Sequence, residues 1–222
     1  MEQVTAFEIL SDWLVLFVMA VVLVVLYGAW LASYRTPKTT PVGTSLWFRL
    51  PAWGQIAAGI IISVVGAYGS YLLWLPIPVT LSSGVSMTLR IVGLLLVLSG
   101  APFFLWARFT LGSLYNASTS SAVQLHAHHR LIQHGPFAIV RHPIYLSYWW
   151  MLSGLLIIYR TWMPLLTLIM MLVALVKRAQ REDQVLAATF GQTWQAYAKR
   201  VPMFLPGWRT TNARAAGGDR HE

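Results

Sequence analysis

Between Trp13 and Arg181 the sequence contains no aspartate and no glutamate; its seven acids lie at positions 2, 8, 12, 182, 183, 219 and 222. A soluble domain carries about 25% charged residues, of both signs. Here 10% of residues are charged and 57% are hydrophobic. Long apolar runs fill the acid-free interval, and in lipid a helix is the element that satisfies its own backbone polar groups. The expected fold is therefore an all-α integral membrane protein. The expected spans thus offer no carboxylates for a proton relay of the kind found in many pumps. With no cysteine in the chain, disulfides, thiolate metal sites and cysteine nucleophiles are excluded.

About five transmembrane helices are expected. Trp13 to Trp30 is bracketed by tryptophans at interface positions, and its acidic start is unlike the basic region of a signal peptide. Trp53 to Leu75 follows a Pro/Thr/Gly loop and carries Gly54, Gly59, Gly66 and Gly69, which offer close helix contact. The third span runs from about Ser86 to Trp106. Ile144–Tyr159 and Trp162–Val176 are separated only by Arg160-Thr161, so they read as a helical hairpin. Each is short, about 24 Å of helix against a core of about 30 Å. Gln180 to Arg200 reads as a separate, more polar helical segment. Residues 1–209 make one membrane-embedded domain without internal repeats, and 210–222 read as a flexible tail.

The net charge of +9 does not point to nucleic acid, because the basic residues follow the membrane segments instead of forming one soluble face. Fourteen of the sixteen Lys and Arg fall on one side of the expected layout, leaving Arg90 and Arg160 on the other. The positive-inside rule then puts the N-terminus outside and the C-terminus in the cytoplasm, with membrane lipids as neighbours.

Two polar segments share that cytoplasmic side. The stretch His126 to Tyr145, HAHHRLIQHGPFAIVRHPIY, holds five of the six histidines. His126, His128 and His129 resemble part of a metal-binding histidine box, but the further ligands such a site needs are missing, so no metal is expected. His142-Pro143 stands directly before a span, where Pro suits the first helical position and the free amides can receive an anion. Gly135-Pro136 provides a turn. In the second segment, Arg178 and Glu182 lie one helical turn apart on one face. They either pair as an interfacial salt bridge or hold the two ends of a polar substrate.

GPFAIVRHPIYLS resembles the G-P/I-Y-x-x-x-R-H-P-x-Y-x-G signature of the isoprenylcysteine carboxyl methyltransferase family, which includes phospholipid methyltransferase relatives. His129-x-Leu131-Ile132-x-x-Gly135 resembles its H-x-L-V-x-x-G. Glu182-Asp183-x-x-Leu186 and FGQTWQAYAKRVPMFLP resemble its acid pair and closing R-V-P-x-x-x-P. The resemblance covers about residues 105–206. It implies a methyltransferase using S-adenosylmethionine (SAM), bound on the cytoplasmic face in a pocket closed by the last helices. By position, Gln124, His129, Arg130, Leu131, Ile132, Phe137, His142, Pro143, Ile144 and Tyr145 would bind the cofactor. Arg178 and Glu182 would be catalytic and orient the carboxylate or amine of a prenylated or lipid-like acceptor arriving from the bilayer. Four positions depart from the signature: Phe137 for Tyr, Ser147 for Gly, Asp183 for Glu and Trp194 for Tyr. Trp194 is closer to the pattern of NADPH-dependent sterol reductases, a rival reading; a non-catalytic lipid-binding protein is another.

Overall fold

The computed structural model describes residues 6–33, 50–114 and 130–205. They form five α-helices: α1 (Ala6–Ser33), α2 (Ala52–Leu72), α3 (Ser83–Leu111), α4 (Pro143–Tyr159) and α5 (Trp162–Arg200). Short 3-10 turns occupy Gly112–Leu114 and Gly135–Ala138. Helices α1, α2, α3 and α5 are long and apolar enough to cross a membrane, whereas α4 is a shorter apolar helix of 17 residues. No named strand occurs among the described residues; an isolated bridge pairs Pro76 with Thr161.

Two features differ from those the sequence suggests. The segment Gln180–Arg200 is not separate: α5 runs on from its apolar part without a gap. Between Val176 and Phe190 the chain has neither Pro nor Gly, so nothing stops the helix where its apolar part ends. The break comes later, at Gly191, whose φ of 51° is a conformation glycine adopts without steric cost. The second difference is where helices touch through glycine. In α2, Gly66 and Gly69 face open space, and Gly59 is covered by Trp30. The intimate contact is α3 on α4, where a Cβ on Gly93 would lie 2.7 Å from the Gly154 carbonyl and one on Gly100 would lie 2.8 Å from Met151. Such an approach requires that side chains be absent.

The main apolar core lies where α3 meets α4, with Phe104 and Ala107 completely buried. Helix α1 packs on α3, and α5 on α4. Helix α2 buries none of its residues; Tyr27 of α1 shares a 2.5 Å hydrogen bond with its Ser63.

Polar groups tie both ends of this assembly. Near the start of α3, Arg90 donates to Ser11 Oγ (2.7 Å) and pairs with Asp12 and Glu8 of α1. The α4–α5 turn is joined to the α2–α3 connection. Ile77 N–H donates to the Arg160 carbonyl (2.8 Å) and Trp162 N–H to that of Leu75 (3.0 Å). At the other end of α4, the residues after α5 fold back on its start. Arg141 N–H donates to the Pro202 carbonyl (2.9 Å) and His142 N–H to that of Met203 (3.2 Å). Phe204 is buried there, its ring 4.5 Å from that of Trp149.

Candidate active site

Helices α4 and α5 bring their polar residues together because α4 begins where the polar part of α5 passes. His142 is the N-cap of α4, but its ring caps no amide. Its Nε2 lies 3.0 Å from Asp183 Oδ1, and its Nδ1 lies 3.6 Å from Glu182 Oε2. Arg141 donates to Asp183 Oδ2 (2.9 Å) and to the carbonyls of Ala198 and Val201 (3.0 and 3.3 Å). Glu182 Oε1 accepts from Tyr145 OH (2.5 Å) and from Arg178 Nε (3.1 Å). The Tyr145 ring stacks on His142 with an interplanar angle of 3°, and the Arg178 guanidinium lies 5.6 Å from the Tyr145 ring centre. Two adjacent carboxylates on α5 thus hold two arginines, a histidine and a phenol.

The apolar part of α5 ends at Val176, which leaves these groups beyond the spanning stretch. Burial pulls the His142 pKa down. Hydrogen bonds to Asp183 and Glu182, and the charges of both, outweigh it and raise the imidazole to about 9. Burial pushes Glu182 up, yet the His142 hydrogen bond and the Arg178 charge bring its carboxyl down to about 2. At neutral pH, His142 is therefore an imidazolium and Glu182 a carboxylate. Arg141, His142 and Arg178 against Glu182 and Asp183 leave one net positive charge.

This cluster forms one wall of a cavity of about 510 Å³. Leu131, Ile132, Phe137, His142, Pro143, Ile144, Tyr145, Arg178 and Glu182, all singled out from the sequence, line it together. Arg130 is not among the lining residues and is exposed. Gln124 and His129 lie outside the described residues, as do His126, His128, residues 34–49 and the tail. Both ring nitrogens of His142 face carboxylates, Nε2 that of Asp183 and Nδ1 that of Glu182. The His142 side chain does not cap the first amides of α4.

The cavity also has walls that the expected site residues do not supply. Arg141 and Asp183 line it, although the sequence marks the first only as part of Arg-His-Pro and the second as a departure. Their adjacency to His142 and Glu182 is the available signal. Met19, Val22, Leu23 and Leu26 of α1 add a further wall. The departures have local uses. Trp194 offers its ring to the Arg141 guanidinium at 5.5 Å, and Ser147 is fully buried with its hydroxyl on the Ile144 carbonyl (2.7 Å). At Phe137 the backbone makes the polar contact: its carbonyl accepts from Tyr197 OH (2.7 Å).

Residues 92–188 match the model of the isoprenylcysteine carboxyl methyltransferase (ICMT) family. That stretch, somewhat less than half of the chain, is similar to the family. ICMT-family proteins are methyltransferases, and the apolar helices here fit a membrane member. The matched stretch takes in every expected site residue and ends before the Phe190–Pro206 motif. No curated protein sequence matches the chain.

Proposed function

We propose that this chain is a SAM-dependent methyltransferase acting on a lipophilic carboxylate at the cytoplasmic membrane face. One observation carries the reading: the Arg178–Glu182–His142 cluster closes one end of a cavity whose remaining walls are largely apolar. The cytoplasmic assignment rests on the distribution of Lys and Arg.

The residues present fit SAM in kind. The start of α4 supplies backbone amides that the His142 side chain does not cap, suited to an amino-acid carboxylate. The turn at Gly135–Ala138, with Ile132 and Phe137, supplies apolar surface and backbone carbonyls. When bound, SAM supplies an electrophilic methyl group, so the hard chemistry belongs to the cofactor. The protein has to place the acceptor oxygen in line with that group and keep water away.

The protonation states favour a carboxylate acceptor over an amine. An amine must lose a proton, and the two nearest candidates to take it are Glu182 and His142. The first is held as a weak base and the second is already protonated. A carboxylate needs no base. It needs a cation, and the cluster has one positive charge in excess, with Arg178 at the cavity wall. Glu182 and Tyr145 then act as positioning residues, holding the Arg178 guanidinium over the Tyr145 ring.

Calorimetry of the purified protein with SAM and, separately, NADPH tests the reading. SAM binding and no NADPH binding are expected. NADPH binding without SAM binding would establish the reductase alternative instead.

A further inference from the structure

Arg141 grips α5 on both sides of its kink. On the near side of Gly191, Asp183 Oδ2 accepts from its Nη2 (2.9 Å). On the far side, the carbonyls of Ala198 and Val201 accept from its Nη1 (3.0 and 3.3 Å), and the Trp194 ring lies 5.5 Å from the guanidinium. Its backbone N–H donates to the Pro202 carbonyl (2.9 Å). The pair with Asp183 is well shielded, the two side chains being 10% and 9% exposed.

Beyond the kink, Trp194, Tyr197, Ala198 and Val201 follow at helical spacing and share one face. That face meets the stretch before α4. Tyr197 is buried, lines the cavity and donates its hydroxyl to the Phe137 carbonyl (2.7 Å). Arg200 donates to Gln133 Oε1 (3.1 Å). The turn at Gly191 depends on backbone freedom alone. A Cβ there would meet nothing within 4 Å, while φ 51° and ψ −122° disfavour any L side chain. The stretch gripped in this way holds Ile132, Phe137 and His142, three of the cavity-lining residues expected at the cofactor.

We propose that Arg141 and Tyr197 are positioning residues for the cofactor: they clasp the part of α5 beyond Gly191 against the wall Ile132–His142, and that clasp gives the wall its shape. This rests on the reading that the wall binds SAM. The two residues act through their neighbours and not on the reacting atoms. Arg141 sets the angle between the two parts of α5, because one planar guanidinium is shared between them. Tyr197 holds Phe137 by its backbone. A lysine at 141 would keep a charge for Asp183 but has no rigid fork to reach both sides of the kink.

The chain has no cysteine, so spin labels introduced through Ile139→Cys and Gln195→Cys, both exposed positions, report the gap between the wall and the far part of α5. The distance is measured by electron paramagnetic resonance on the full chain in lipid nanodiscs, and SAM affinity by calorimetry on the same preparations. The parent should give one narrow distance. In Arg141→Lys the distance should broaden and SAM affinity should fall roughly tenfold, the equivalent of about one hydrogen bond. Tyr197→Phe should change both in the same direction by less, and decides the matter if the first variant does not fold. A parental distance and parental SAM affinity in the folded variants overturn the proposal and leave the methyltransferase reading standing. A broadened distance with unchanged SAM affinity also overturns it, because the clasp would then serve the fold alone. Broadening in the variants of a parent that binds no SAM would uphold the clasp and count against the methyltransferase reading instead.

Discussion

Two groups of charges lie at opposite ends of this bundle, built from the same chemistry and placed to different effect. In the first, Arg90 of α3 takes Glu8 and Asp12 of α1, whose side chains are 36% and 49% exposed. In the second, Arg141, His142 and Arg178 meet Glu182 and Asp183, with Asp183 at 9% exposure and the cavity on one side. The first pair of helices gains a tie that water and headgroups already screen. The second gains an electrostatic field inside an apolar chamber, where charge interacts more strongly and cannot be left unpaired. Pairing alone thus does not mark a functional site. The second cluster is also buried against a cavity.

The comparison can be broken first at Asp183, which receives both Arg141 and His142. Asp183→Ala leaves the buried Arg141 guanidinium without its carboxylate and removes the main support of the His142 imidazolium, and removing one partner of a buried pair costs about 3–5 kcal/mol. A strong loss of thermal stability in detergent is expected; an unchanged melting temperature would show that the cluster does not hold the α4 start. Next comes Arg178→Ala. It should lower acceptor kcat/KM by about a hundredfold, or roughly 2.7 kcal/mol of transition-state stabilisation, and leave SAM affinity alone. A fall in SAM affinity with acceptor kinetics intact would place Arg178 with the cofactor.

A smaller effect separates the clusters by pH. His142 is raised to about 9 from its ordinary 6.5. The imidazolium therefore contributes stability that is complete below about pH 6.5 and is lost as pH rises through 9. Melting temperature should decline across that window, and the decline should be absent in His142→Gln. A parallel decline in that variant would assign it to other groups. Smallest of all is Arg90→Gln, expected to cost on the order of 1 kcal/mol because its partners are partly solvated. Methyl transfer should be unchanged, and a large kinetic defect would contradict the division between the two ends.

Much of the fold was legible because apolar length is a direct consequence of the bilayer. The residues lining the cavity were legible where a motif fixed both residue type and spacing, as at His142-Pro143 and Arg178/Glu182. What stayed hidden had physical reasons. Met19, Val22, Leu23 and Leu26 are apolar whether they face lipid or a cavity, so α1 carries no mark of the wall it forms. Close helix contact lies at Gly59, against Trp30 of α1, and at Gly93, Gly100 and Gly154, while Gly66 and Gly69 face open space, because a glycine shows that approach is allowed and not which partner approaches. Asp183 reads as a conservative departure, yet it is the carboxylate on which Arg141 and His142 converge.

The most direct test of the central claim is transfer of label from methyl-labelled SAM to a membrane lipid extract by the reconstituted protein. Label is expected in a lipophilic product as a base-labile methyl ester, at comparable levels for the parent and Arg90→Gln, and close to background for Arg178→Ala. Label that survives base, as an N-methyl group does, would contradict a carboxylate acceptor. No labelled product, despite SAM binding and a full range of lipid extracts, would contradict the methyltransferase account itself.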